Sequence, residues 1–479
     1  IRRYHHQNKK GINKFSFSII VRVIQKFMIP TKVFLSIIYC SLFVSPSFAN
    51  WPNWRGPNFD GSATGDFKYP TVFSPDLAVR WSHDLEGPSA STPVVLNNRV
   101  FLSGTRLAIE GESAPDLLAM CIDRKSGNAL WVKSAGSGYQ PGNKDGNLLQ
   151  LDSRSNYSSP SPVASSTEVV FFYGNGDLVC FSHEGDLRWR RNLQADLGDF
   201  CFQWTFSASP TLYDDRLFLP VLQRDEQVHG RGNESAESFI LCLSLKTGKT
   251  IWRHVRSTPA KKESREAFST IIPYNDSLLV AGGDFLTSHD PQNGSELWRW
   301  GTWNNGHKQE WWRLVPSPVA GDGRVLVCAP KKAPVFAVSV PNQSEGPLSE
   351  KNKVRLAWDT TGSKEVTSDV PTPLFFKGFF YVLSDLRQNI SKLDPENGKV
   401  IWTIKLPGKY KWRSSPTAAD GKIYLMNHNA EALVISCDRG EILHAVKMGD
   451  EYDDQTRSSI ALSQGQLFIR TNKKLYCIE

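Results

Sequence analysis

The sequence predicts an all-β fold, an eight-bladed β-propeller of four-stranded antiparallel blades, and three observations predict it. A Ser-Pro or Thr-Pro opener recurs along the chain, each unit ends in a Gly-containing turn followed by a Trp, and alternating apolar strands fill the intervals. No interval carries the 3.6-residue apolar period of a long helix. A repeat of roughly 50 residues in such a chain means sheets arranged radially, each burying both faces against its neighbours.

The openers are Ser91-Thr92-Pro93, Ser158-Ser159-Pro160, Ala208-Ser209-Pro210, Thr270 to Pro273, Pro316-Ser317-Pro318, Pro371-Thr372-Pro373, Ser414-Ser415-Pro416 and Ser458-Ser459-Ile460. Eight openers define eight blades. The closing aromatics are Trp81, Trp131, Trp189, Trp252, Trp298, Trp358 and Trp402, with His444 in the eighth slot. Each follows a turn such as Asp123 to Gly127 or Asp394 to Gly398, where Gly supplies a positive φ and Asp can bond its own backbone. Strands such as Arg99-Val100-Phe101-Leu102 and Lys422-Ile423-Tyr424-Leu425 alternate as half-buried strands do.

The ends predict how the ring closes. Leu77 to Trp81 supplies a closing strand and its Trp before any opener, whereas Leu475 to Glu479 has no Trp strand after it. The first strand is therefore expected to become the outer strand of the last blade. Residues 77–479 form the propeller in this reading, and 50–76 an N-terminal extension packing on it.

The front of the chain reads as a targeting segment. Met28 to Lys32 is a short basic start, Val33 to Val44 an apolar run, and Ser47-Phe48-Ala49 a small-residue cleavage site before Asn50. The run is shorter than the ~20 residues that span a bilayer. Cleavage after Ala49 is expected, with 28–49 as the signal peptide and 1–27 as upstream translation; the mature chain would be periplasmic or extracellular and would carry no transmembrane segment.

The formal charge of +8 in 479 residues sits in that leader: residues 1–49 hold eight Lys and Arg and no Asp or Glu. The remainder is neutral, which removes the argument for a nucleic-acid surface. Export makes the cysteines worth reading. Without Cys40, seven remain, an odd number, with no CxxC, CxxCH or adjacent pair. Cys121, Cys180, Cys242 and Cys477 occupy one repeat position and read as small buried hydrophobes rather than a disulfide framework.

The Asp…Gly…Trp pattern at Asp123 to Trp131 and Asp394 to Trp402 resembles the tryptophan-docking repeat of eight-bladed quinoprotein (PQQ) propellers, and the propeller subunit of the bacterial outer-membrane barrel-assembly machinery is similar. Trp51 to Pro57, Gly282-Gly283-Asp284 and Trp311 to Pro318 resemble still more the exported bacterial PQQ-like propeller proteins. The resemblance covers Trp51 to Glu479 and implies the fold. Dehydrogenases of that superfamily hold the quinone over a Trp against a vicinal disulfide, with a calcium ion and an Asp base. The adjacent cysteines are missing here, and no dense carboxylate loop is visible; a set such as Asp152, Asn156, Glu310 and Asp369 would have to converge from separate blades.

Propellers bind at the channel mouth, through loops entering the innermost strands. The residues before the openers are therefore the candidates: Arg154, Asn156 and Tyr157; Gln203 and Trp204; Trp311, Trp312 and Arg313; Lys411, Trp412 and Arg413; Thr456 and Arg457. Aromatic faces with Arg forks suit a sugar, a quinone, or an acidic or aromatic peptide side chain. In the other reading these side chains plug the channel and pair with Asp and Glu. Trp298 is structural by register, while Trp300, Trp303, Trp311 and Trp312 are placed in the loop beyond it. The insertion Arg224 to Ser238 reads as a flap over the mouth or as a solvated loop.

No Gly-x-Ser-x-Gly elbow, Walker loop or GxGxxG is present, and the histidines lack zinc-ligand spacing. Two functions follow. The first is a monomeric, exported, non-catalytic propeller that binds a protein, peptide or glycan of the cell envelope through its mouth, without a cofactor. The alternative is a PQQ- and calcium-dependent alcohol or sugar dehydrogenase.

Overall fold

The computed structural model describes residues 49–106, 116–142, 146, 151, 156–340, 353–450, 453 and 455–479. The start at Met28, the signal peptide up to Phe48, Asp152 and Arg154 lie outside them.

Among the described residues there are eight four-stranded antiparallel sheets. Blade 1 consists of Val94–Leu96, Arg99–Arg106, Asp116–Asp123 and Ala129–Ser134, ordered from inside to outside. Blades 2 to 7 repeat this order over 163–192, 211–255, 272–301, 319–359, 374–405 and 417–447. Blade 8 takes three strands from 461–478, and Val79–Asp84 pairs antiparallel with Lys474–Ile478 as its fourth. Among the described residues helix is confined to Leu193–Leu197 and two 3-10 turns.

The openers have a physical reason. The backbone N–H of one opener donates to the opener hydroxyl of the next blade: Thr92 to Ser161 (2.8 Å), Ser161 to Ser209 (3.0 Å), Ser209 to Thr270 (3.1 Å) and Thr270 to Ser317 (2.8 Å). The belt continues from Ser317 to Thr372 (2.9 Å), Thr372 to Ser415 (3.0 Å), Ser415 to Ser459 (3.1 Å) and Ser459 back to Thr92 (3.2 Å). A short hydroxyl side chain is needed at each of the eight positions, because these buried N–H groups have no ladder partner on the channel side. In blade 2 the belt residue is Ser161, before Pro162, so that opener lies one Ser-Pro step beyond Ser158-Ser159-Pro160.

The closing tryptophans bridge blades. Six of the seven indole N–H groups donate to a carbonyl of the next blade's turn: Trp81 to Arg124 (2.8 Å), Trp131 to His183 (2.9 Å), Trp189 to Leu245 (2.7 Å), Trp252 to Pro291 (3.2 Å), Trp358 to Pro395 (2.8 Å) and Trp402 to Cys437 (3.2 Å). The ring covers the turn glycine, and a Cβ on Gly248 would lie 2.5 Å from the Trp189 ring. In the eighth slot His444 packs edge-on against Phe73 of the extension, with Nε2 2.6 Å from its carbonyl. Cys121, Cys180, Cys242 and Cys477 sit directly opposite Trp131, Trp189, Trp252 and Trp81 on the adjacent strand, all four thiols free and buried.

The extension crosses the end of the channel. Trp51 exchanges backbone hydrogen bonds with Val95 (2.8 and 2.9 Å), the Ala164 N–H donates to Pro52 O (2.9 Å), and Phe375 and Ala418 donate to Asp60 O (3.1 Å) and Gly61 O (2.9 Å). It thus ties blades 1 and 2 to blades 6 and 7. Arg55, fully buried, donates to Pro416 O (3.0 Å) and Pro373 O (2.8 Å). Val95, Ala164, Phe375 and Ala418 each come three residues after a belt residue, at the far end of the innermost strands. The other end of the channel is left as the mouth.

Candidate functional site

Side chains alternate across a strand, so the residues two before the belt face the same lumen as the belt hydroxyls. That tier reads Ala90, Ser159, Ser207, Phe268, Val315, Val370, Arg413 and Arg457, and all eight line one cavity of about 270 Å³. Trp54 of the extension lines it too, as do Trp204 and Arg313. The mouth is asymmetric: apolar on blades 4 to 6, cationic on blades 7 and 8.

The cavity opens into a groove of about 830 Å³. Trp204, Trp312, Pro334 and Leu386 supply apolar surface, and Arg313, Lys331, Lys332, Lys411 and Arg413 supply charge against Glu263 and Asp369. Even with the Asp385 carboxylate that pairs with Arg413 counted beside Glu263 and Asp369, the five cations leave a local excess on an otherwise neutral body, which favours an anionic ligand.

Two of the mouth arginines are anchored from behind. Arg413 Nε donates to Asp385 Oδ2 at 3.0 Å, and the Asp385 side chain is fully buried. Burial pushes that carboxyl up from its ordinary value, and Arg413 pulls against the rise. Arg313 meets both oxygens of Asp369 at 3.4 Å, and the Asp369 N–H donates to Asp385 Oδ1 at 3.2 Å, which links the two pairs. Arg457 Nε lies 3.3 Å from His428 Nε2, and its Nη2 donates to Gln455 Oε1 at 3.1 Å.

Trp204 is positioned by a group that the sequence did not single out. Glu266, fully buried, accepts from Arg224 Nε (2.6 Å) and from the Gln203 N–H (2.9 Å), and burial pushes its carboxyl up to about 7. Arg224 Nη2 also donates to Gln203 Oε1 at 2.9 Å. The base of the Arg224 to Ser238 insertion is therefore packed: Arg224 and Arg231 are buried, while His229 and Glu234 are exposed at its tip.

Of the sequence-predicted residues, Trp204, Trp312, Arg313, Arg413 and Arg457 meet at the mouth and groove. Trp412, Trp303 and Tyr157 do not, and expecting them there needs correction. Trp412 is fully buried among blades 6 and 7, its Nε1 donating to Pro407 O at 3.1 Å. Adjacent residues of an extended chain point opposite ways, so placing Arg413 in the lumen turns Trp412 into the core. Trp303 packs in the core of blades 3 to 5, and Tyr157 in that of blades 1 and 2. Trp311 is exposed but outside the groove, its ring 5.7 Å from the Arg224 guanidinium and 5.4 Å from Lys262 Nζ. Trp300 belongs to the outer strand Glu296–Gly301 rather than to the loop, and packs 5.7 Å from the Phe336 ring.

These features define an eight-bladed propeller, bridged at one end by its own extension and open at the other through a basic, aromatic mouth. The chain belongs to the family described as outer membrane protein assembly factor BamB, which matches residues 116–354 and 349–479. Among solved structures it is similar to BamB from Moraxella catarrhalis (10% identity, TM-score 0.54, covering 83% of this chain and 95% of that one). It is also similar to quinohemoprotein alcohol dehydrogenase from Comamonas testosteroni (12% identity, TM-score 0.58, covering 90% and 80%) and to a europium-containing methanol dehydrogenase (10% identity, TM-score 0.57, covering 84% and 86%). At these identities the likeness is one of fold. No curated protein sequence matches.

The quinoprotein neighbours raise the question whether the mouth suits a quinone held by calcium. Its donors fit poorly: Asp369 and Asp385 are engaged by Arg313 and Arg413, and Glu310 pairs with Lys262 at 2.7 Å outside the channel. Calcium needs six or more converging oxygens, and a guanidinium at each carboxylate opposes that. Among the described residues no three His, Cys, Asp or Glu side chains come together as a metal site.

Proposed function

We propose that this chain is an exported, monomeric, non-catalytic propeller that acts as a scaffold in the cell envelope, gripping an acidic segment of a protein partner that also carries aromatic or aliphatic side chains. Its leader, in this reading, is removed after Ala49. The observation that carries the proposal is the groove, which Trp204 and Trp312 line together with Lys331, Lys332, Lys411 and the two anchored arginines. Aromatic surface supplies apolar area at low entropic cost, and the cations supply steering and register for carboxylates. Belonging to a family named for outer-membrane assembly supports a protein partner over a free sugar.

Site-specific photocross-linking tests this. A benzoylphenylalanine replacing Trp312 in the full chain, expressed in its own cells, is expected to give one discrete adduct whose cross-linked segment is rich in Asp and Glu. Adding Lys331→Gln and Lys332→Gln should abolish it. An adduct to a neutral or basic segment, or one indifferent to the lysines, would overturn the reading.

A further inference from the structure

The face opposite the mouth carries a second pocket, of about 630 Å³, where the extension meets the turns of blades 1 and 8. Its hydrogen-bond balance is uneven. Arg124, nine-tenths buried, donates through Nε to Gln466 Oε1 (2.8 Å) and through Nη1 to Gln464 Oε1 (2.6 Å) and Asn97 O (3.4 Å); among the described residues it has no ion pair and its Nη2 makes no hydrogen bond. The Gln464 amide nitrogen is buried without a partner. The Tyr69 hydroxyl, which the Gly465 N–H approaches, is buried with no acceptor for its own proton. Lys125 lines the same pocket without an ion pair among the described residues.

The other charges there are already matched. Arg80 and the Gln466 amide nitrogen both donate to Glu479 Oε2, and Lys68 pairs with Asp420 at 2.9 Å. What remains is a set of donors from three parts of the ring with no acceptor among them. A buried donor without a partner is costly, and Glu479, the carboxylate nearest in charge to the Arg124 guanidinium, is already held by Arg80 and Gln466. An anion would supply the missing partner. Phe67, Pro70 and Val72 form an apolar wall beside these donors, and the volume is that of a small-molecule site.

We propose that this pocket binds a small organic anion, its phosphate or carboxylate head on Arg124, Tyr69, Gln464 and Lys125 and its apolar body against Phe67, Pro70 and Val72. The site is independent of the mouth. Because its donors come from the extension, blade 1 and blade 8, the bound anion ties the closing joint of the ring and raises the thermal midpoint.

Calorimetric titration of the full chain with phenyl phosphate, benzoate, inorganic phosphate and neutral phenol, at constant ionic strength, tests this. One-to-one binding of phenyl phosphate or benzoate is expected, tighter than that of inorganic phosphate and absent for phenol; the tighter of the two aromatic anions identifies the head group. Tyr69→Phe with Lys125→Gln should weaken it roughly tenfold and reduce the ligand-induced rise in thermal midpoint at a given ligand concentration. If the double variant fails to fold, Tyr69→Phe alone is compared. Trp312→Ala with Lys331→Gln, altered only at the mouth, should bind the anion as the wild type does. No saturable binding, equal binding in the Tyr69 variant, or loss in the mouth variant would each overturn the proposal.

Discussion

The backbone N–H of Ser459 donates to Oγ1 of Thr92 at 3.2 Å, and through that bond the last opener closes on the first. Closure at the channel thus rests on a hydroxyl, while closure at the rim rests on strand pairing. Thr92→Val keeps the shape and removes the acceptor, leaving the Ser459 N–H buried and unpaired. Urea unfolding should show a loss of about 1–3 kcal/mol. Thr92→Ser should lose much less.

Interlocking of blades through indoles predicts a contrast between two glycines. Gly248 has φ +68° and its Cβ would meet the Trp189 ring, whereas Gly378 has φ +76° with nothing within 4 Å. Gly378→Ala should show only the left-handed backbone penalty, about 1–2 kcal/mol. Gly248→Ala should exceed it, because the indole has to shift from the carbonyl it donates to. Equal losses in chemical denaturation would mean that the ring is not tightly seated.

His289 is fully buried, its Nδ1 3.1 Å from Gly294 O and its Nε2 2.9 Å from Thr287 Oγ1. Burial lowers its pKa to about 3, and the nearby Arg256 and His254 act in the same direction. The unfolded side chain titrates near 6.5. Between those two values the unfolded chain binds one more proton, so stability falls as pH drops, by about 1.4 kcal/mol per pH unit at full effect. His289→Gln should give a shallower fall, by one proton, when unfolding free energy is measured from about pH 6 to 5.

Arg413→Leu should damage the fold as well as the mouth, since Asp385 is then buried without its cation. A loss of about 3–5 kcal/mol is expected at neutral pH. It should shrink as pH falls and the carboxyl protonates, and Asp385→Asn in the same chain should recover much of it. For this reason Trp312 and Lys331, rather than Arg413, are the positions at which to test binding.

Much of the ring was legible because the belt demands a short hydroxyl residue in every unit and the closing slot holds an indole in seven of the eight. Ser317-Pro318 and Trp358 announce a blade by chemistry that nothing else in the unit needs. The site was legible only in part. Arg413 and Trp412 are neighbours in sequence, and proximity to an opener marked both; counting two back from the belt hydroxyl separates lumen from core, and the second blade's doubled Ser-Pro obscured that register. Asp385, Asp369 and Glu266 could not be foreseen as anchors, because Asp385 and Arg413 come from successive blades, Asp369 and Arg313 from separate loops, and Glu266 and Gln203 likewise. The place of Trp54 in the mouth cavity depends on an extension that reaches from blades 1 and 2 to blades 6 and 7, a path no local pattern encodes.

The most direct test of the central claim is a binding isotherm, by fluorescence anisotropy, for a labelled peptide alternating Glu with Phe on the full chain at low and high salt. The account predicts saturable binding that weakens with salt, and that falls about tenfold in Trp312→Ala with Lys331→Gln while the unfolding midpoint stays unchanged. Binding that is absent at low salt, or the same in that variant as in the wild type, would contradict it.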